Sequence, residues 1–213
     1  VLFKFDFEND GFSQEAAGIF VKDGAETIDD IKELYHKSIA LAGLNAADKS
    51  DAEDIKARAE SSYLLGNRGD YKKLSDSSLL LNEIAEELPY ESISEFEKSM
   101  TETIALIRFN TSTREDIKEL LSEYSELLDI DVSQLTDYQM GIVGTAVTGK
   151  QWESIDALSD AVSEAADEVR ETPVPTRRPV SGGGGNSGGG SGVSSPQVIP
   201  NIPMPSQTPE ATE

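Results

Sequence analysis

Cysteine is missing from all 213 residues, which excludes disulfides, thiolate catalysis and zinc–thiolate sites, although it fixes no compartment. Histidine occurs once, as His36. No apolar run approaches the ~20 residues needed to span a bilayer, and no basic-then-apolar leader is present. We therefore expect no membrane insertion. Basic side chains are scarce, 18 against 40 acidic ones, for a formal net charge of −22 at pH 7. Such a surface repels phosphate backbones and anionic lipid, so nucleic-acid partners are not expected. Proline is nearly absent from the body of the chain: eight of nine lie beyond Thr172, where only two basic and two acidic residues remain. Val1 opens the sequence without a start methionine, which reads as a fragment of something longer.

What is present is a repetition. Ile39-Ala40-Leu41 followed by Asn45 returns as Ile104-Ala105-Leu106 followed by Asn110. Asp54-Ile55-Lys56 returns as Asp116-Ile117-Lys118, Tyr63 as Tyr124, and Leu74-Ser75-Asp76 as Leu135-Thr136-Asp137. The copies run 28–92 (65 residues) and 93–154 (62 residues), and a third begins at Ile155 and stops after one helix's length. Self-similarity at so long a spacing marks a repeat array.

Each copy reads as three helices. Ile28, Ile31, Leu34, Tyr35 and Ile39 in one, and Ile93, Phe96, Met100, Ile104 and Ile107 in the other, form the apolar stripe of the first. Thr27 and Ser92 are its N-caps, with Ser92-x-x-Glu95 a capping box, and Asn45 and Asn110 suit left-handed closing residues. Ser50-x-x-Glu53 and Ser112-x-x-Glu115 open the second helices, which bury Ile55, Ala59 and Tyr63, or Ile117, Leu120, Leu121, Tyr124 and Leu128; Gly66 ends the earlier one. Ser75 and Thr136 cap the third, whose cores are Leu79, Ile84 and Leu88, or Met140, Val143 and Val147; Pro89 and Gly149 stop them. A seventh helix over 155–171 places Ile155, Leu158, Val162, Ala165 and Val169 on one stripe and covers the end of the array.

The fold class expected is thus mainly all-α: two tandem three-helix units plus a closing seventh helix, a short N-terminal β remnant and a disordered C-terminal tail. Residues 1–24 are assigned to the end of an upstream β-rich module, or to a packing strand. Val1, Phe3, Phe5 and Phe7 alternate with Leu2, Lys4 and Asp6, and Gly18 to Val21 suggests one more short strand. Residues 172–213, with the tract Ser181 to Ser195, form a Pro/Gly/Ser-rich linker spanning about 35 Å as a flexible chain.

Candidate chemistry is sparse. Asp6-x-Glu8-x-Asp10-Gly11 invites comparison with a calcium loop, but position three is Glu8 and position twelve is Ala17 where a bidentate glutamate belongs; strand end and turn fit better. His36 sits among charged residues on a helix and has no counterpart in the second copy, which favours a surface role. Arg68-Gly69-Asp70 spells an integrin-recognition tripeptide in a loop, yet Asp129-Ile130-Asp131 replaces it in the second copy. The repeated tyrosines, and Tyr90 opposite Trp152, suit inter-unit core better than a sugar-stacking platform. We expect no catalytic, cofactor-binding or metal-ligating residues, and no cofactor.

The pattern Ile-Ala-Leu-x-x-x-Asn, Asp-Ile-Lys…Tyr, Leu-Ser/Thr-Asp and Gly149-Lys150-Gln151-Trp152-Glu153-Ser154-Ile155 resembles helical repeats of large surface proteins from clostridia and related Gram-positive bacteria. There such repeats precede a glycine-rich tract and then S-layer homology domains that hold cell-wall polysaccharide. Leu135 to Ile155 and Gly182 to Gly192 carry the likeness, which covers about 28–195. Val1 to Phe7 resembles, more weakly, the end of a cohesin-like or immunoglobulin-like module. The resemblance implies a non-enzymatic spacer in a secreted, wall-associated protein. Its partners would be neighbouring domains of the same polypeptide, and cell-wall polysaccharide only through domains outside this chain. A glycan- or protein-binding helical module is the alternative.

Overall fold

The computed structural model describes residues 11–171; the strand expected over Val1 to Phe7, the Asp6–Asp10 acids and the tail 172–213 lie outside them. Among the described residues the protein is mainly helical and has no strand. Eight α-helices follow in order: α1 Gln14–Lys22, α2 Ile28–Asn45, α3 Ala52–Ala59, α4 Ser78–Glu87, α5 Ile93–Thr111, α6 Ile117–Glu123, α7 Asp137–Val147 and α8 Ile155–Glu171. Single 3-10 turns, Tyr71–Lys73 and Val132–Gln134, precede α4 and α7.

The segment expected as a strand over Gly18 to Val21 is instead α1. Ser13 caps it by accepting the Ala16 N–H, and Ala16 and Ile19 are buried three apart while Val21 is exposed. A helical period and a cap outweigh the β propensity of Ile19-Phe20-Val21. Phe12 stacks on Tyr35 of α2 (centroids 4.9 Å apart), and the Asp23 carboxylate accepts the Ile93 and Ser94 N–H groups, tying the end of α1 to the start of α5.

Two hydrophobic clusters form the interior. The first gathers Ala16 and Ile19 with Leu41, Leu44, Ile55, Leu80 and Ile84, and takes Ile93, Phe96, Met100 and Ile104 from α5. The second takes Ala105 and Phe109 from the same helix and adds Ile117, Leu121, Val143, Leu158 and Val162. The division falls inside α5, between Ile104 and Ala105, so one unbroken 19-residue helix belongs to both cores. The stripes expected on α5 and α8 are buried nearly as read, with Ile107 only partly so.

Several local expectations are corrected. Asn45 and Asn110 adopt no left-handed conformation; among described non-glycine residues only Asp129 has positive φ. Each asparagine reaches across to a loop instead. Asn45 donates to the Tyr90 carbonyl (2.8 Å) and accepts its N–H (2.9 Å); Asn110 does the same with Trp152 (3.0 and 2.8 Å). Asp51, not Ser50, caps α3, and α6 starts after Asp116, whose carboxylate is engaged by Thr113 rather than by a Ser112–Glu115 box. Glu95 takes the Glu91 N–H, so the Ser92 box is only half formed, whereas Thr136–Gln139 closes fully. Ser77 replaces Ser75 at the start of α4. Ile28, the first residue of α2, is exposed, and Leu79 faces solvent because the α4 core register runs through Leu80, Leu81, Ile84 and Leu88. That register matches Gln139, Met140, Val143 and Val147 of α7, with the helix start shifted by two residues relative to the preceding 3-10 turn.

Candidate functional site

A groove of about 520 Å³ lies between α2, the loop after α3 and α5, lined by Glu33, His36, Lys37, Tyr63, Asn67 and Glu97 among others. α3 stops at Ala59, so Tyr63 falls in the turns that follow and remains 43% exposed, while Tyr124 is buried beneath Arg108. The two tyrosines matched in sequence therefore occupy different environments. Tyr63 stacks on His36 (centroids 4.8 Å, planes 19° apart), and His36 meets Tyr35 edge-on. Gly66 closes these turns; a Cβ there would overlap the Glu60 carbonyl, so only glycine fits.

The charges around the groove are mutually satisfied. Lys37 bridges Glu33 (2.8 Å) and Glu97 (2.6 Å). Burial alone would lower the Lys37 ammonium, but the two carboxylates outweigh it and raise its pKa. Arg68 folds back on Asp70 through two bonds (3.1 and 2.7 Å) and reaches Thr101 on α5 (2.9 Å). Burial would raise the Asp70 carboxyl, yet Arg68 reverses that and holds it below its ordinary range. Both side chains of this tripeptide are largely covered, so it braces the loop against α5 rather than presenting itself.

A second network sits where the cores meet. Arg108 of α5 donates to Glu123 (2.7 Å) and to the Tyr124 hydroxyl (2.9 Å), and Lys73 reaches Glu123 (2.8 Å). The Arg108 bond, then Lys73, lowers the Glu123 carboxyl against the opposing effect of burial. Tyr90 is buried, and desolvation together with its bond to Glu87 pushes its phenol far above the ordinary value. Trp152 is partly buried against the second cluster, with Nε1 donating to the Val147 carbonyl (3.2 Å).

No group of three or more His, Cys, Asp or Glu side chains converges on a metal-sized space among the described residues. None of the described helices is long and apolar enough to cross a membrane. What the geometry offers chemically is an aromatic face, Tyr63 on His36, with flanking hydrogen-bonding groups. Sequence reasoning missed the asparagine clamps; their only signal was the recurrence of Asn at one offset. Comparison with known protein families, curated proteins and solved structures gives no match.

Proposed function

We propose that this chain is a non-enzymatic spacer in a secreted, wall-associated bacterial surface protein, joining an upstream β-rich module to a downstream wall anchor. In this reading 28–92 and 93–154 are tandem three-helix units, α8 closes the second as α5 closes the first, and 172–213 is the tether. The observation that carries it is α5: one continuous helix is shared by both cores, so neighbouring units cannot hinge without breaking it. The recurring asparagine clamp supports the same reading, since Tyr90 and Trp152 each lead into the helix that closes a core.

A glycan-binding module is the second reading, and Tyr63 favours it, because an exposed ring held flat against His36 suits a sugar face. Isothermal titration of the whole chain with purified Gram-positive wall polysaccharide separates the two. The spacer gives no saturable heat. Saturable binding that Tyr63→Ala removes would replace the spacer with the binding module.

A further inference from the structure

On the far side of the second core, α6 and α7 frame a groove of about 780 Å³. Its floor is the outer face of α7: Tyr138, Gly141, Ile142 and Thr145, spaced three, four and seven residues apart. Tyr138 is 59% exposed and Ile142 is exposed as well, so large apolar surface faces water here. Gly141 keeps the floor low; a Cβ there would stand 3.8 Å from Lys118 Cε, so the lysine stem lies along the groove. Arg114 and Lys118 form its wall, and neither makes an ion pair among the described residues. Two adjacent unpaired cations are conspicuous in a chain of net charge −22. Asp137, at the start of α7, is the one acid among the lining residues.

The molecule also carries a surface that complements this one. Counted from the N-caps Ser77 and Thr136, the α4 positions equivalent to Tyr138, Gly141, Ile142 and Thr145 are Leu79, Asn82, Glu83 and Glu86. All four are exposed, and Leu79 is 58% so. Glu83 and Glu86 make no ion pair among the described residues. The same helix face is thus an acidic ridge with an apolar knob in α4, and an apolar groove with a basic wall in α7.

We propose that the α6–α7 groove receives the α4 ridge of a second copy of this chain, Leu79 packing among Tyr138, Ile142 and Gly141 while Glu83 and Glu86 face Arg114 and Lys118. The pairing is heterologous: the groove of each copy stays available to another ridge, so association is open-ended. Repulsion between two chains of this net charge opposes contact, but at 0.15 M salt charges more than about 8 Å apart are largely screened. The contact pairs, partly dried by the apolar knob, are screened less and survive. The contact is a single groove on a single helix face, so the association is weak.

Sedimentation velocity of the whole chain at 0.15 M salt tests this. The wild type shows a weight-average mass that climbs with concentration beyond a dimer. Arg114→Glu/Lys118→Glu loses its groove and Glu83→Lys/Glu86→Lys its ridge; each alone sediments as a monomer, its apparent Kd weakened about tenfold or more. Mixed, the intact ridge of one variant meets the intact groove of the other, and the reversed groove and reversed ridge are complementary again, so the mixture associates beyond a dimer as the wild type does. All four positions are exposed, and unchanged far-UV circular dichroism shows that the variants fold. A wild type that stays monomeric up to roughly 1 mM, variants that associate like the wild type, or a mixture that remains monomeric would each overturn the pairing.

Discussion

Asn45 and Asn110 satisfy both the carbonyl and the amide of a residue in a distant loop, so truncating either leaves two backbone groups without partners. Asn45→Ala and Asn110→Ala should each cost about 1–3 kcal/mol in urea unfolding. Asn110→Ala should also alter Trp152 emission, because its clamp holds the Trp152 backbone; Asn45→Ala should not. Arg68 and Asp70 make a comparable prediction. Asp70→Asn removes the carboxylate that anchors Arg68, so it lowers stability, and cell adhesion to the immobilised chain stays unchanged. The sequence could name all four residues but not the distant partners of Asn45, Asn110 and Arg68, since a short-range motif carries no record of what lies 45, 42 or 33 positions away. It suggested a helix-closing asparagine and a tripeptide set in a loop, both local chemistry, and tertiary contacts gave each a longer reach.

At the scale of the element, α6 and α7 approach so closely that a Cβ on Gly144 would overlap Ile117 Cγ2. Gly144→Ala should therefore destabilise by about 1–3 kcal/mol despite the better helix propensity of alanine, as differential scanning calorimetry would register. Helix existence was legible where stripes were long: α2, α5 and α8 follow the 3.6-residue period, and Thr27 and Ser92, the caps of α2 and α5, stand where the sequence placed them. The short second and third helices were legible as helices, but most of their bounds were not. α3 and α6 are only eight and seven residues long, and Asp51 and Asp116 mark their starts, one residue after Ser50 and four after Ser112. The α4 register slipped because Leu79-Leu80-Leu81 offers three apolar residues in a row, and period alone cannot say which one faces out. α1 was missed for a related reason: its nine residues fall below the length at which pattern outweighs β-branched composition.

For the whole molecule, charge sets the response to solvent. Asp70 and Glu123 are held below their ordinary values by Arg68 and Arg108, so each adds stability above its unfolded pKa, about 4, and loses it as pH falls through the lower folded value. Acid titration followed by circular dichroism should show stability declining below about pH 4, with Glu123→Gln flattening part of that decline. Added salt should raise the melting temperature, because the self-repulsion of a chain at −22 is screened more than its close pairs are. Composition made this behaviour legible at once, whereas the sharing of α5 between two cores was not. The repetition draws a boundary at Ile93, where sequence similarity restarts, and the interior divides twelve residues later, where side chains change the neighbours they touch. Measuring whether the two cores unfold together tests that sharing most directly. Leu41→Ala, in the first core, should cost about 2–5 kcal/mol, and urea unfolding can be followed by far-UV circular dichroism and by the fluorescence of Trp152 beside the second. Coincident midpoints, both lowered by the substitution, are predicted; a Trp152 transition left at its wild-type midpoint while the circular dichroism separates into two steps would contradict a helix shared by both cores.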